Sequence, residues 1–297
     1  MKRLLYIYNP NAGRQRSRAI LSEALEEMSA QGFALTVLPT AARGDARRAA
    51  MALGGEFDRV VCCGGDGTLN ETVSGLMELP EENRPVLGYL PMGSTNDFAR
   101  SLGLPKEIRA LARLACAGEG RPVDIGRSAE HAFTYVSAFG LFTEVSYSTP
   151  QSMKNLLGHF SYVLEGAGQL TNVPSYPMTV TTDGGKVITG DFIYGMVGNT
   201  LSVGGVMRLP KDTVSLNDGL FEVMLVRRFQ SLADWPAVIS AVTAMKFPSS
   251  GTVEAFTARE ITFHCDQPLA WTVDGEFGGQ RRDTLVRALP GAVRIAY

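Results

Sequence analysis

Apolar residues in the N-terminal part of the chain come as short, nearly solid runs. Leu4–Tyr8, Phe33–Leu38, Val60–Cys63 and Val86–Leu90 read as strands, Val60–Cys63 as a buried one. Between them the apolar positions spread to helical spacing. Leu21, Ala24, Leu25 and Met28 share one helical face, a second helix runs through Arg47–Met51, and Leu69, Val73, Leu76 and Met77 share a third face. Strands alternating with helices predict a parallel sheet covered by helices on both sides. Ligands of such sheets bind beyond the carboxyl ends of the strands.

The texture changes near Arg121. Strand-like segments now follow one another at Pro122–Ile125, Ala132–Ala138, Tyr176–Thr182, Asp191–Val197, Leu220–Arg227, Glu260–Cys265, Leu269–Val273 and Thr284–Arg287. Asp183-Gly184-Gly185 and Asn217-Asp218-Gly219 read as turns between strands. The expectation is an α/β domain over residues 1–122, with a parallel sheet, and a mainly antiparallel β-sandwich domain over 123–287. One helix interrupts the second half, with Met153, Leu157, Phe160, Leu164 and Ala167 on one stripe, and another spans Leu232–Ala244. The stripe reads first as a packing face.

Composition narrows the classes. The 297 residues are 45% hydrophobic and 20% charged, as in a folded soluble protein. A net charge of −2 without a polybasic run gives a nucleic-acid partner no support, and none is expected. No apolar run approaches the ~18 residues that would span a bilayer, and Asn9-Pro10 cuts the first one off as a strand, not a signal peptide. The 4 cysteines have neither metal nor disulfide spacing, and Cys62-Cys63 sit inside a buried strand, which suits reduced thiols in a cytoplasm.

The loops after the strands carry the candidate chemistry. Gly64-Gly65-Asp66-Gly67-Thr68-Leu69-Asn70-Glu71 follows a strand and opens a helix, the arrangement that cradles phosphate with unpaired N–H groups. Asp66 inside that loop makes sense if a cation such as Mg²⁺ accompanies the phosphates. Pro91 to Arg100 follows another strand and brings Asp97 to the same sheet edge, where paired acids suit a hydrated Mg²⁺. Asn9-Pro10-Asn11-Ala12-Gly13 opens there too. Arg14, Arg16 and Arg18 then enter a helix N-terminus, where positive charge opposes the dipole unless an anion is near. Each motif also has a plain structural reading. Thr68 with Glu71, and Ser94 with Asp97, have capping-box spacing, and Asp274-Gly275 is a common hairpin turn.

The loop around Gly64–Glu71, with Pro91-x-Gly93-Ser94-x-Asn96-Asp97-Phe98-Ala99-Arg100, resembles the diacylglycerol kinase catalytic family, soluble bacterial lipid kinases related to sphingosine kinases. The resemblance continues through Val123-Asp124-Ile125-Gly126, Gly198-Asn199, Gly204-Gly205, Asn217-Asp218-Gly219-Leu220 and Asp274-Gly275-Glu276, in the family's order. It implies that the nucleotide lies between the two domains and that the final strand, 288–297, returns to the first. It assigns ATP binding to Asn9, Pro10, Asn11, Ala12, Gly13, Thr40, Gly65, Asp66, Gly67, Thr68, Leu69, Asn70, Glu71 and Ser94. Glu276 becomes the general base, and Asp66 and Asp97 position a catalytic Mg²⁺. Ser215, Asp218 and Leu220, the last through its carbonyl, match a separate structural Mg²⁺ site. The family often has threonine where Ser94 stands, and serine keeps the hydroxyl; Gly204-Gly205-Val206 stands where a glycine triplet is common.

The implied activity is ATP- and Mg²⁺-dependent phosphorylation of a lipid hydroxyl, diacylglycerol giving phosphatidic acid. The alternatives are another lipid alcohol, a sphingoid base or phosphatidylglycerol, and a non-catalytic lipid-binding regulatory protein. NAD kinases share the glycine-loop logic, but the Asp97 motif and the late Asp-Gly-Glu favour a lipid acceptor. The implied setting is cytoplasmic, with transient, peripheral contact at the membrane surface. Monomer and homodimer both stay open.

Overall fold

A computed structural model describes residues 1–141, 174–200, 202–203, 207–208, 215–228 and 251–297. The predicted helices at Met153–Ala167 and Leu232–Ala244, and Gly204-Gly205-Val206, lie outside the described residues. Two compact units emerge: Met1–Ile125 with Pro290–Tyr297, and Gly126–Leu289.

The first unit runs β1 (Lys2–Tyr8), α1 (Ala12–Ala19), α2 (Leu21–Ala30), β2 (Phe33–Pro39), α3 (Asp45–Leu53), β3 (Arg59–Gly64), α4 (Asp66–Met77), β4 (Val86–Pro91), α5 (Asp97–Leu102), α6 (Ile108–Ala117) and the start of β5 (Gly120–Ser128). β2, β1, β3 and β4 lie side by side, all parallel. Leu4, Tyr6, Val61, Cys63 and Leu90 pack with Ala24 and Met28 of α2 and Leu111, Ala112 and Ala115 of α6. The alternate strand residues Leu5, Ile7, Val60 and Cys62 are equally buried, which is why these strands read as solid apolar runs. Burial pushes Cys63 up to about 11 and Cys116 up to about 12, so both stay protonated.

One charge expectation fails here. The chain breaks at Ile20 into two helices, so Arg16 and Arg18 fall in the last turn of α1, where positive charge favours the dipole. The predicted N-terminal penalty does not apply to them.

The second unit is built of β6 (His131–Phe133), β7 (Val136–Gly140), β8 (Tyr176–Thr182), β9 (Val187–Gly198), the short β10 (Ser202–Val203) and β11 (Met207–Arg208), β12 (Phe221–Arg227), β13 (Val253–Ala258), β14 (Glu260–Val273) and most of β15 (Glu276–Ala296). Apart from the separate antiparallel pair β10–β11, the ladders β13-β12-β9-β7-β14-β15 are antiparallel, and β8 pairs with both β9 and β14. The long strands therefore change partners: β14 pairs with β8 through Ile261–Cys265 and with β7 through Trp271–Val273. Two predicted strands, Glu260–Cys265 and Leu269–Val273, are one strand with a register break between them, where Pro268 lacks the N–H that a regular ladder needs. Trp271 centres the core, its ring 5.0 Å from both Phe139 and Phe263.

The last residues belong to the first unit. Ile295 pairs in parallel with Leu87, Arg84 donates to the Ala292 carbonyl at 2.8 Å, and Arg294 donates to that of Gly120. Buried Asp124 accepts the Gly291 N–H at 2.7 Å.

A close approach between α3 and α4 depends on Gly75. A Cβ there would lie 2.3 Å from the Arg47 carbonyl oxygen and 2.8 Å from the Ala50 Cβ. Alanine in a helix interior ordinarily gains up to about 1 kcal/mol over glycine, but overpacking of this kind costs about 1–3 kcal/mol. Gly75→Ala is expected to lower stability in chemical denaturation, and a stabilised variant would refute the contact.

Candidate active site

Parallel pairing brings the ends of β1, β3 and β4 to one edge, and the three loops beyond them touch. Asn9 N–H donates to the Cys63 carbonyl at 2.9 Å, and its side-chain amide donates to Thr68 Oγ1 at 3.4 Å. Asn9 Oδ1 accepts from Asn11 N–H, folding the Asn9–Gly13 turn on itself. Gly13 has φ +58°, and a Cβ on it would stand 2.2 Å from the Met92 carbonyl oxygen. Met92 N–H in turn donates to the Gly64 carbonyl at 2.7 Å. A Cβ on Gly93 would lie 2.7 Å from Gly65 Cα, so these backbones meet where no side chain fits. Thr40, after β2, donates its N–H to the Tyr8 carbonyl.

Both capping boxes dissolve in the structure. α4 begins at Asp66 with Gly65 as cap residue and no side-chain cap, so Thr68 and Glu71 lie inside the helix. Glu71 caps a different helix, accepting from Gly44 N–H at 2.8 Å and Ala46 N–H at 3.3 Å at the start of α3. α5 begins at Asp97 after Asn96, which adopts φ +51°, and Ser94 is exposed. The Asn96 side chain braces its own loop instead. Its Oδ1 accepts from Gly93 N–H at 2.7 Å, and its amide donates to the Gly93 carbonyl at 2.9 Å.

Asp66 and Asp97 are both buried, at 9% and 1% exposure. They meet through Asp97 N–H, which donates to Asp66 Oδ2 at 3.3 Å, while the Asp97 carboxylate lies 3.9 Å from Arg100. Two acids at one loop junction suit a hydrated divalent cation, which keeps several of its waters. Among the described residues no group of three metal-binding side chains forms.

Gly67 stands apart from the other glycines among the described residues. It is exposed in the first turn of α4, its φ is not positive, and a Cβ added to it would meet nothing within 4 Å. Neither conformation nor packing asks for glycine there. A ligand seated on the helix N-terminus would.

In the second unit, Val273 pairs with Glu276 across a two-residue turn in which Asp274 (φ +48°) and Gly275 (φ +80°) are both left-handed. Glu276 is exposed at the start of β15. The Asn217–Asp218–Gly219 turn is equally compact: Asp218 Oδ1 accepts from Leu220 N–H at 3.0 Å, and Ser215 Oγ lies 3.2 Å from Asn217 Oδ1. Just beyond it Glu222 buries a carboxylate oxygen that finds no hydrogen-bond partner among the described residues. Burial, with the Asp218 charge adding, raises that carboxyl to about 7. An orphaned buried oxygen beside Asp218 fits a cation held at this turn. The only sequence signal for it is an acid inside the apolar run Phe221–Val226.

Comparison with known proteins agrees with this layout. Residues 3–128 match the diacylglycerol kinase catalytic domain, and 137–297 match the YegS C-terminal NAD kinase beta sandwich-like domain. A diacylglycerol kinase from Bacillus subtilis (strain 168) is 35% identical over 281 residues, 94% of this chain and 91% of that protein. The chain belongs to the diacylglycerol kinase family. It is thus a kinase, a phosphotransferase with an alcohol group as acceptor. One from Staphylococcus epidermidis (strain ATCC 12228 / FDA PCI 1200) is 33% identical over 94% of this chain and 87% of its own. A crystal structure of a diacylglycerol kinase from Bacillus anthracis str. Sterne superposes with a TM-score of 0.75 at 24% identity, covering 100% of this chain and 97% of the other, and shows the shared fold. The fold extends to an Archaeoglobus fulgidus NAD kinase crystallised with ATP, at a TM-score of 0.55 and 10% identity, covering 99% and 93% of the two chains.

The Asn96 brace is open to test. Asn96→Gly keeps the left-handed backbone available and loses only the side-chain bonds, an expected loss of about 1–2 kcal/mol. Asn96→Ala adds a left-handed backbone cost of about 1–2 kcal/mol. Denaturation curves should rank parent, glycine and alanine in that order, and a glycine variant as stable as the parent would remove the brace.

Proposed function

We propose that this kinase transfers the γ-phosphate of ATP to the free hydroxyl of a membrane lipid, diacylglycerol being the substrate and phosphatidic acid the product. The observation that carries the nucleotide half of this reading is Gly67, an open glycine with no role in the fold, at a helix N-terminus beside two buried acids. The relatives' names carry the lipid half.

In this reading the turn Asn9–Gly13, the first turn of α4 and the loop at Ser94 bind the nucleotide, with Thr40 at their margin. Glu71 contributes through the α3 loop that it caps. Phosphoryl transfer asks the protein for positioning and charge stabilisation more than for covalent chemistry. Asp66 and Asp97 would hold a Mg²⁺ ion, which when bound offsets the charge of the phosphates. Glu276 accepts the proton of the lipid hydroxyl as that oxygen bonds to the γ-phosphorus, and ADP leaves with the bridging oxygen. Ser215, Asp218 and the Leu220 carbonyl would hold a second, structural cation. In this reading the lipid is reached from the membrane surface; no helix among the described residues is long and apolar enough to cross a membrane.

Two outcomes test the reading. Gly67→Ala should raise or preserve thermal stability, since alanine gains up to about 1 kcal/mol in a helix, yet raise the KM for ATP several-fold. An unchanged KM would return Gly67 to a neutral turn residue. With Mg-ATP, the parent protein should phosphorylate diacylglycerol in mixed micelles and leave NAD untouched, and Glu276→Gln should lower kcat by ~10² to 10⁴. Phosphorylation of NAD with no lipid product would overturn the lipid reading. Near-parental kcat in Glu276→Gln would overturn the base.

A further inference from the structure

Asp274 does far more than turn a hairpin. An Asp-Gly turn needs only left-handed backbone at its two central residues. Here the side chain is buried at 6% exposure and reaches into another strand connection. Its Oδ2 accepts from Thr134 N–H at 2.7 Å and from Thr134 Oγ1 at 2.8 Å. Its Oδ1 accepts from Tyr135 N–H and Val136 N–H, both at 3.0 Å. The Asp274 N–H completes the link by donating to the Val136 carbonyl at 2.8 Å.

The partner segment has been shaped to this contact. Ala132–Ala138 has the composition of a single strand, but the structure interrupts it between β6 and β7, at Thr134 and Tyr135. Consecutive N–H groups there point at one carboxylate instead of alternating across a ladder. Burying a carboxylate is costly unless donors meet it, and the burial pushes Asp274 above the usual carboxylate range while these bonds pull it back. Four donors converge on this one carboxylate, more than the turn itself requires, and they act two residues before Glu276.

We infer that Asp274 is a positioning residue for Glu276: its bonds to Thr134, Tyr135 and Val136 fix the turn from which the Glu276 carboxylate meets the acceptor hydroxyl. The inference rests on the reading of Glu276 as the base. Displacing a catalytic group by about 1 Å can cost on the order of 10²-fold in rate, so a residue that fixes the Glu276 turn bears on the rate through Glu276.

The test is a double-mutant cycle on the full chain, with kcat, the KM for ATP and the melting temperature measured for each variant. Asp274→Asn keeps the shape but offers one acceptor oxygen and turns an amide donor toward backbone N–H groups. It should lower kcat by about 10- to 100-fold with KM for ATP little changed. In a Glu276→Gln background the same substitution should leave the residual kcat nearly unmoved while lowering the melting temperature as before, because acting through one group makes the effects non-additive. Thr134→Val, which removes a single bond, should show a smaller kcat loss with the same coupling, and it decides the question if Asp274→Asn does not fold. Equal fold-losses in both backgrounds would make Asp274 merely structural, and parental kcat in Asp274→Asn would also overturn the inference. If Glu276→Gln alone keeps parental kcat, the base assignment falls instead, which is a separate result.

Discussion

The first unit depends on backbone meeting backbone without side chains between. The turns after β1, β3 and β4 close to contact at Gly13, Gly65 and Gly93, and each contact would be filled by one Cβ. Such packing leaves the amide groups at the sheet edge uncovered, and the helix that begins at Asp66 adds its own unpaired N–H groups. The glycine loops therefore serve both purposes, tight packing and an anion-accepting surface. Gly67 is the member of the set that packing does not explain.

Legibility in the sequence followed the range of the forces involved. Strands buried on both faces print themselves as solid apolar runs, so β1, β3 and β4 are readable from a few consecutive residues, and with them the edge on which the loops converge. Interruptions imposed from afar leave no local mark. The break between β6 and β7 answers to Asp274, 140 residues away from Thr134, and Glu71 turns from its neighbour Thr68 to cap α3. The continuity of β14 through Pro268 was equally hidden, because local propensity marks the proline and only the ladder partners show that the strand goes on. Strand β13 and helix α6 drew no sequence expectation at all.

Within the site, residue type was easier to read than residue task. Asp66, Asp97 and Glu276 stand out as acids in glycine-rich turns. Spacing alone could not say that Asp97 meets Asp66 through its N–H, or that Asn96 would brace the loop in place of Ser94. Spacing is a statement about a regular helix, and both capping readings failed because each helix begins a residue or more away from the assumed cap.

Strand β15 leaves the second unit and finishes in the first, laying Ile295 along Leu87 at the margin of β4. On a ribosome the order of synthesis matters. The Met1–Ile125 portion emerges early but lacks Pro290–Tyr297, its closing strand. At a translation speed of ~5–20 residues per second, the wait for the intervening residues is roughly ten to thirty seconds. During that interval β4 presents an open, apolar edge to every other nascent chain nearby. The same stitch that makes the finished unit continuous thus gives the growing polypeptide a vulnerable period, and makes its earliest-made portion among the last to be completed.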